Sequence, residues 1–226
     1  MTAQQSALIA GATGLVGGEC LRRLLAHPAW TTVIALVRRD IDSKSTSPKL
    51  RPVLTDFTAL ERVRDRLAAD HVFCALGTTM RKAGSRAAFR TVDLEYPLRL
   101  AQLTRAGGAR HFSLVSAVGA DPHSAFYYSR VKGELEDELT AMGWPSLAIF
   151  RPSVIEGQRG ESRPLERLSG RLLRLAPAAW RPVAAGDIAA AMTAVAVASP
   201  PGVTIVESRE IAARAREADG HTSSRS

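Results

Sequence analysis

The stretch SALIAGATGLVGGECLRRLLAHP, residues 6–28, decides the fold. SALIAG is short, apolar and unbroken, as a strand buried on both faces requires. LVGGECLRRLLA repeats apolar residues at helical spacing, and Pro28 ends the run. Between the two, Gly11, Gly14 and Gly17 form G-x-x-G-x-x-G, a variant of the dinucleotide fingerprint. Gly11 permits a tight strand-to-helix turn, Gly14 removes the Cβ that would hold a pyrophosphate away, and Gly17 lets the helix lie close to the sheet. The helix start offers free N–H groups and a positive dipole end to phosphate. Gly11, Thr13, Gly14, Leu15, Val16 and Gly17 are therefore candidate cofactor contacts.

Downstream, short apolar runs alternate with helical patterns. Strands are expected at 32–39, 52–57, 71–77, 111–116 and 146–152, and helices at 58–70 and 125–143. A further helical span from Ser85 to Ala106 has a break near Asp93. This order predicts βαβ units and an α/β class, a Rossmann-type doubly wound parallel sheet with a small C-terminal substrate lobe. The dinucleotide-binding core would cover 5–152 and the lobe 153–218, together a single domain over 1–218. The lobe would hold an Arg-rich helix (164–175), an Ala-rich helix (186–198), a strand (202–208) and a short helix (209–218). Residues 219–226 read as a disordered tail.

Apolar residues make up 46% of the 226 and aromatics only 5%, enough for one aliphatic core. No run approaches the ~20 apolar residues of a membrane span, so no stable membrane insertion is expected. The start, MTAQQSALIAG, lacks a basic n-region. Cys20 and Cys74 read as buried thiols, and the expected compartment is cytoplasmic. The net charge is +8, carried by 26 Arg and 4 Lys scattered along the chain. No basic run is interleaved with aromatics, so no nucleic-acid partner is expected. A small anion would still benefit from the field. The five histidines show no ligand spacing, and no metal is expected. Arg163, Arg167, Arg171 and Arg174 read as the solvated face over a leucine stripe.

The end of the second strand distinguishes the cofactors. An NAD site needs an acid there for the ribose 2′-OH, and an NADP site an arginine. The chain reads LVRRD, with Arg38 at the expected position, Arg39 beside it, and Asp40 slightly later. A guanidinium fork matches a phosphate. NADP(H) is expected over NAD(H).

LVSAVG ends the fifth strand and places Ser116 at a carboxyl end of the sheet. FYYSRVKGE (126–134) follows, and its Tyr128 and Lys132 lie four apart on one helix face, while Tyr127 points elsewhere. A Ser at this position followed by Y-x-x-x-K resembles the short-chain dehydrogenase/reductase superfamily. The resemblance implies that Tyr128 transfers a proton to or from the substrate oxygen. Lys132 would lower the tyrosine pKa and hold the nicotinamide ribose, and Ser116 would hydrogen-bond the reacting carbonyl. A free tyrosine titrates near 10 and needs a cation to act as a base at neutral pH.

The segments CALGTTMRKAGS (74–85), FRTVDLEYPLRLAQLTRAGGARHFSLVSAVGAD (89–121) and IFRPSVIEGQRGESRP (149–164) are more specific. They resemble the Tat-interactive-protein-like group of atypical short-chain dehydrogenases. By that resemblance the cofactor is NADP(H), Asp56 lies near the adenine, Leu76 and Gly77 beside the ribose, and Pro152, Ser153 and Val154 near the nicotinamide. Some members of the group act as redox-sensing regulators that bind the cofactor and partner proteins. The expected function is thus an NADP(H)-dependent oxidoreductase acting on a small carbonyl or alcohol, with a cofactor-binding regulator or interaction module as the alternative. A homo-oligomer or a regulatory protein partner is compatible with either. Sugar-nucleotide chemistry fits less well, because few residues follow the sixth strand. Phe126 and Val154 favour a small ketone or aldehyde.

Overall fold

A computed structural model describes residues 5–39, 47–156 and 181–223, with side chains through residue 217. The glycine loop joins β1 (Gln5–Ala10) to α1 (Leu15–Ala26). The chain continues through β2 (Trp30–Val37), β3 (Leu50–Leu54) and β4 (His71–Cys74), then α2 (Met80–Ala83) and α3 (Arg86–Arg90). A π-turn (Thr91–Glu95) leads into α4 (Tyr96–Ala106), β5 (His111–Val115), α5 (Tyr127–Ala141) and β6 (Ser146–Arg151). After these come β7 (Ile155–Glu156), β8 (Val183–Ala184), α6 (Ala185–Ala198), β9 (Gly202–Glu207) and α7 (Ser208–Ser223). The expected Arg-rich helix at 164–175, with its arginine face, lies outside the described residues, as does Asp40.

Among the described residues one sheet has seven strands in the order β3-β2-β1-β4-β5-β6-β9, every neighbouring pair parallel. That is a doubly wound Rossmann-type sheet whose strand order reverses between β1 and β4. Alternation along β1 shows why its strand had to be wholly apolar. Ala7 and Ile9 enter the core under α1 and α6, with Cys20, Leu24, Ile188 and Met192. Leu8 and Ala10 enter the opposite core under α4 and α5, with Leu100, Val131, Leu135 and Leu139. Chain after residue 152 contributes to both layers: β9 extends the main sheet beside β6, and α6 packs against α1. The short pair β7–β8 forms a separate ribbon.

Two elements differ from the sequence expectation. The helix expected at 58–70 is a 3₁₀ segment over Phe57–Arg66, irregular at Ala59. Only Phe57 and Leu60 are buried within it, and so narrow an apolar face gives an α-helix little tertiary support. The break expected near Asp93 in the span from Ser85 is the π-turn, which carries the fully buried Asp93. Finally, α7 runs to Ser223, past residue 219 where the tail was expected. No proline interrupts it, and extending an anchored helix adds one hydrogen bond per residue fixed.

Candidate functional site

The glycine loop, the ends of β2, β4, β5 and β6, and the start of α5 converge at the carboxyl end of the sheet, where folds of this type bind ligands. Gly11 has φ +88°, and a Cβ there would lie 2.5 Å from the carbonyl oxygen of Ala75. A Cβ on Gly17 would lie 1.9 Å from the carbonyl oxygen of Gly11. No side chain can occupy either position without moving backbone. Gly14 is the N-cap of α1 with no side-chain cap, and the first turn carries no acid. The helix start is left open for an anion. Thr13 is exposed, Leu15 half-buried, and Val16 and Gly17 buried, so Val16 can offer a ligand only its backbone.

Arg38 and Arg39 directly follow β2 and are both exposed. Asp56 accepts a hydrogen bond from the Thr58 N–H at 3.1 Å. Burial, then the Asp56 and Glu95 carboxylates, raise the Tyr96 pKa, and the Arg38 charge opposes them. Arg38, Asp56 and Tyr96 therefore share one neighbourhood. Leu76 packs partly into the second core, and Gly77 is exposed.

At α5 the two tyrosines separate cleanly. Tyr127 donates its hydroxyl to the carbonyl of Arg86 at 2.9 Å, and the guanidiniums of Arg86 and Arg130 lie 5.1 and 5.6 Å from its ring centre. Tyr128 packs its ring against Phe89 at 5.5 Å and is 38% exposed. Among the described residues its hydroxyl has no partner. Beneath it Lys132 Nζ meets Asp93 Oδ1 at 2.7 Å, with side-chain exposures of 4% and 1%. Burial works against the lysine's charge, but Asp93 and Tyr128 more than offset it and hold the Lys132 pKa above its ordinary value. Asp93 also accepts the Thr78 N–H at 2.8 Å. A Cβ on Gly77 would stand 3.3 Å from Asp93 Oδ1 and 3.8 Å from Lys132 Nζ. The bare glycine thus keeps this ion pair open to the loop after β4.

Ser116 is already engaged within the fold. It is buried, and its hydroxyl donates to Glu136 in a short hydrogen bond. Glu136 lies one turn beyond Lys132 on α5 and two beyond Tyr128, about 12 Å along the axis from the latter. It is also held by Arg151, whose Nε lies 3.1 Å from Oε2 and whose Nη1 reaches Glu207 at 3.0 Å. A serine has one proton to donate, and here it is directed at a buried carboxylate. At the end of β6, the Pro152 carbonyl accepts the Val118 N–H at 2.9 Å. The Ser153 hydroxyl donates to the carbonyl of Arg181, and Val154 is 53% exposed.

Sequence reasoning passed over Asp93, Glu136 and Gly133. Asp93 stands between the apolar Val92 and Leu94 in the turn TVDLE. Glu136 continues the 128–132 face by one more i+4 step. A Cβ on Gly133 would lie 2.2 Å from Pro122 N, so this glycine lets the 117–126 loop close onto α5.

The NAD(P)H-binding family matches residues 11–147. Protein HTATIP2 of Rattus norvegicus is 36% identical over 178 residues, 78% of this chain and 73% of that protein. The mitochondrial protein fmp52 of Emericella nidulans is 35% identical over 164 residues, 70% of each chain. The solved structure of a short chain dehydrogenase/reductase family oxidoreductase from Burkholderia thailandensis superposes with a TM-score of 0.74 at 20% identity. It covers 100% of this chain and 99% of its own. The fungal names correct the expected cytoplasmic compartment, since proteins this similar are named mitochondrial. Neither two unpaired cysteines nor the opening residues carry that information. No helix among the described residues is long and apolar enough to cross a membrane.

Proposed function

The chain belongs to the NAD(P)H-binding family, and from that premise we propose an NADP(H)-dependent oxidoreductase that interconverts a carbonyl and an alcohol at Tyr128. The glycine cradle fits the cofactor, because its two closest approaches exclude any Cβ and its helix start is uncapped. Gly11, Thr13, Gly14, Leu15, Val16 and Gly17 would hold the pyrophosphate, and Arg38 and Arg39 the 2′-phosphate. Asp56, Leu76 and Gly77 would border the adenosine, Lys132 the second ribose, and Pro152, Ser153 and Val154 the nicotinamide. When bound, the cofactor supplies or accepts a hydride.

The observation that carries the reading is the Tyr128 hydroxyl, without a partner among the described residues, beside the buried Lys132–Asp93 pair. In the reducing direction Tyr128 gives its proton to the substrate oxygen as the carbonyl becomes an alkoxide; in the oxidising direction it takes the proton back. Lys132 stabilises the phenolate left behind. Asp93 fixes the lysine's position and withholds part of its charge from Tyr128. An ammonium has three donors, so Lys132 can serve Asp93 and a ribose together.

One observation favours a second reading, a cofactor-binding regulator with little turnover: the Ser116 proton is committed to Glu136 and leaves the substrate oxygen one donor short. Consumption of NADPH and NADH measured across a panel of aldehydes and ketones separates the two. An oxidoreductase consumes NADPH with at least one carbonyl. A chain that binds NADPH and oxidises it with none is the regulator.

A further inference from the structure

We propose that the substrate of this site carries an apolar chain of several carbons next to its carbonyl, seated on a rim formed by Met80, Phe126 and Val154. The inference rests on the oxidoreductase reading and adds the class of substrate. Isolated apolar side chains on a surface are ordinary, but a cluster at a ligand-binding end is not. Among the described residues eight large apolar side chains are exposed, and four are Met80, Phe126, Tyr128 and Val154. They stand beyond the carboxyl ends of β4, β5 and β6, three consecutive strands of the sheet. Phe126, at 78%, is the most exposed of the eight.

Their backbone is fixed, so the exposure is built in. Phe126 is the N-cap of α5, its N–H bonded to Ser124 Oγ and its carbonyl to the Arg130 N–H. The Val154 carbonyl accepts the Val183 N–H at 2.9 Å, and Met80 opens α2 behind the Thr79 cap. Nearby hydroxyls already donate to protein groups: Tyr127 to Arg86, Ser116 to Glu136, Ser153 to Arg181. A polyhydroxylated substrate would find these donors already used, whereas an alkyl or aryl chain needs only the surface the rim presents. In turnover the hydride adds to the carbonyl carbon, the C=O π pair moves to oxygen, and the Tyr128 proton completes the alcohol. NADPH is the reductant and leaves as NADP⁺.

The test titrates n-alkyl primary amides of increasing length, unreactive carbonyl probes, into the NADP(H)-loaded protein by calorimetry, with matched aldehydes followed by NADPH consumption. Each methylene should tighten amide binding about three- to fourfold until the rim is covered. Phe126→Ser should remove most of that increment and leave NADPH affinity unchanged. Amide affinity indifferent to length, or a length dependence untouched by Phe126→Ser, overturns the proposal. So does a parent self-association that Phe126→Ser abolishes with no length dependence, which would assign the rim to a second copy. Length-dependent amide binding with no aldehyde reduced keeps the rim and removes the oxidoreductase reading. Aldehydes reduced at rates independent of length do the reverse.

Discussion

The two ends of the sheet treat their buried polar groups in opposite ways. At the amino end Trp30, His71, His111 and Ser146 are the first residues of β2, β4, β5 and β6. Trp30 Nε1 donates to His71 Nδ1 at 2.8 Å, and His71 Nε2 lies 3.4 Å from Ser199 Oγ. His111 sits between the hydroxyls of Ser146 and Ser113, both at 2.8 Å. These groups are neutral and bonded to one another, so the end is sealed. At the carboxyl end, among the described residues, Tyr128 keeps an unused hydroxyl, α1 an uncapped start, and Lys132 spare donors beyond Asp93. A closed polar lattice stabilises and specifies packing, and an open one is left to act on a ligand.

The sharpest break in that contrast is expected from Tyr128→Phe, which deletes the free hydroxyl and keeps the ring against Phe89. Steady-state turnover should fall roughly 10²- to 10⁴-fold, with NADPH affinity and stability little changed. Tyr127→Phe is the control. It removes the bond to the Arg86 carbonyl, should cost about 0.5–1.5 kcal/mol in denaturant unfolding, and should leave turnover intact. Loss of activity in the Tyr127 variant alone would mean that the wrong face of α5 has been assigned.

Lys132→Met tests whether the open end also bears load. It strands Asp93 uncompensated in the interior and should cost about 3–5 kcal/mol of stability, besides slowing turnover and weakening the cofactor. Adding Asp93→Leu should restore much of the stability and none of the turnover. Urea titrations of the single and double variants check this, and equal destabilisation in both would show that the pair does not act as a unit.

The sealed end should reveal itself through pH. Burial, reinforced by His71, lowers the His111 pKa to about 3 from an ordinary 6.5. Below 6.5 the unfolded chain binds a proton that the folded chain refuses, so stability falls with pH until about 3. Between pH 6.5 and 4.5 His111 alone should cost about 2–3 kcal/mol. His111→Asn should flatten that acid limb in melts recorded across the range. An unchanged limb would place the acid sensitivity elsewhere.

Arg38→Ala should act on cofactor binding alone. Removing one charge-assisted contact should weaken NADPH binding by about 1.5–3 kcal/mol and leave NADH nearly unaffected, as fluorescence titration of both cofactors would show. Equal affinity of the parent for the two would remove the preference for the phosphorylated cofactor.

Much of the architecture could be read from local pattern. The glycine spacing, the all-apolar β1 and the alternation of strand and helix are short-range features, and each has one physical solution. Tyr128 and Lys132 were readable because helix periodicity puts residues four apart on one face. Asp93 was not, because its pairing with Lys132 spans 39 positions and depends on a π-turn that no propensity announces. Ser116 shows the complementary case. Its place at the end of β5 was correctly anticipated, but the direction of its hydroxyl depends on Glu136, which sequence order leaves twenty residues away.

By itself, then, the sequence determined the Rossmann-type sheet, the cofactor cradle and the helix face that carries Tyr128, since these follow from periodicity and from the space a missing Cβ leaves. Tertiary structure alone decided which charges meet. It set Lys132 on Asp93, turned Ser116 to Glu136, which Arg151 also holds, and left Phe126 and Val154 outside the core. Burial makes ionic pairing compulsory for groups that fold together, and only the folded chain determines which groups those are.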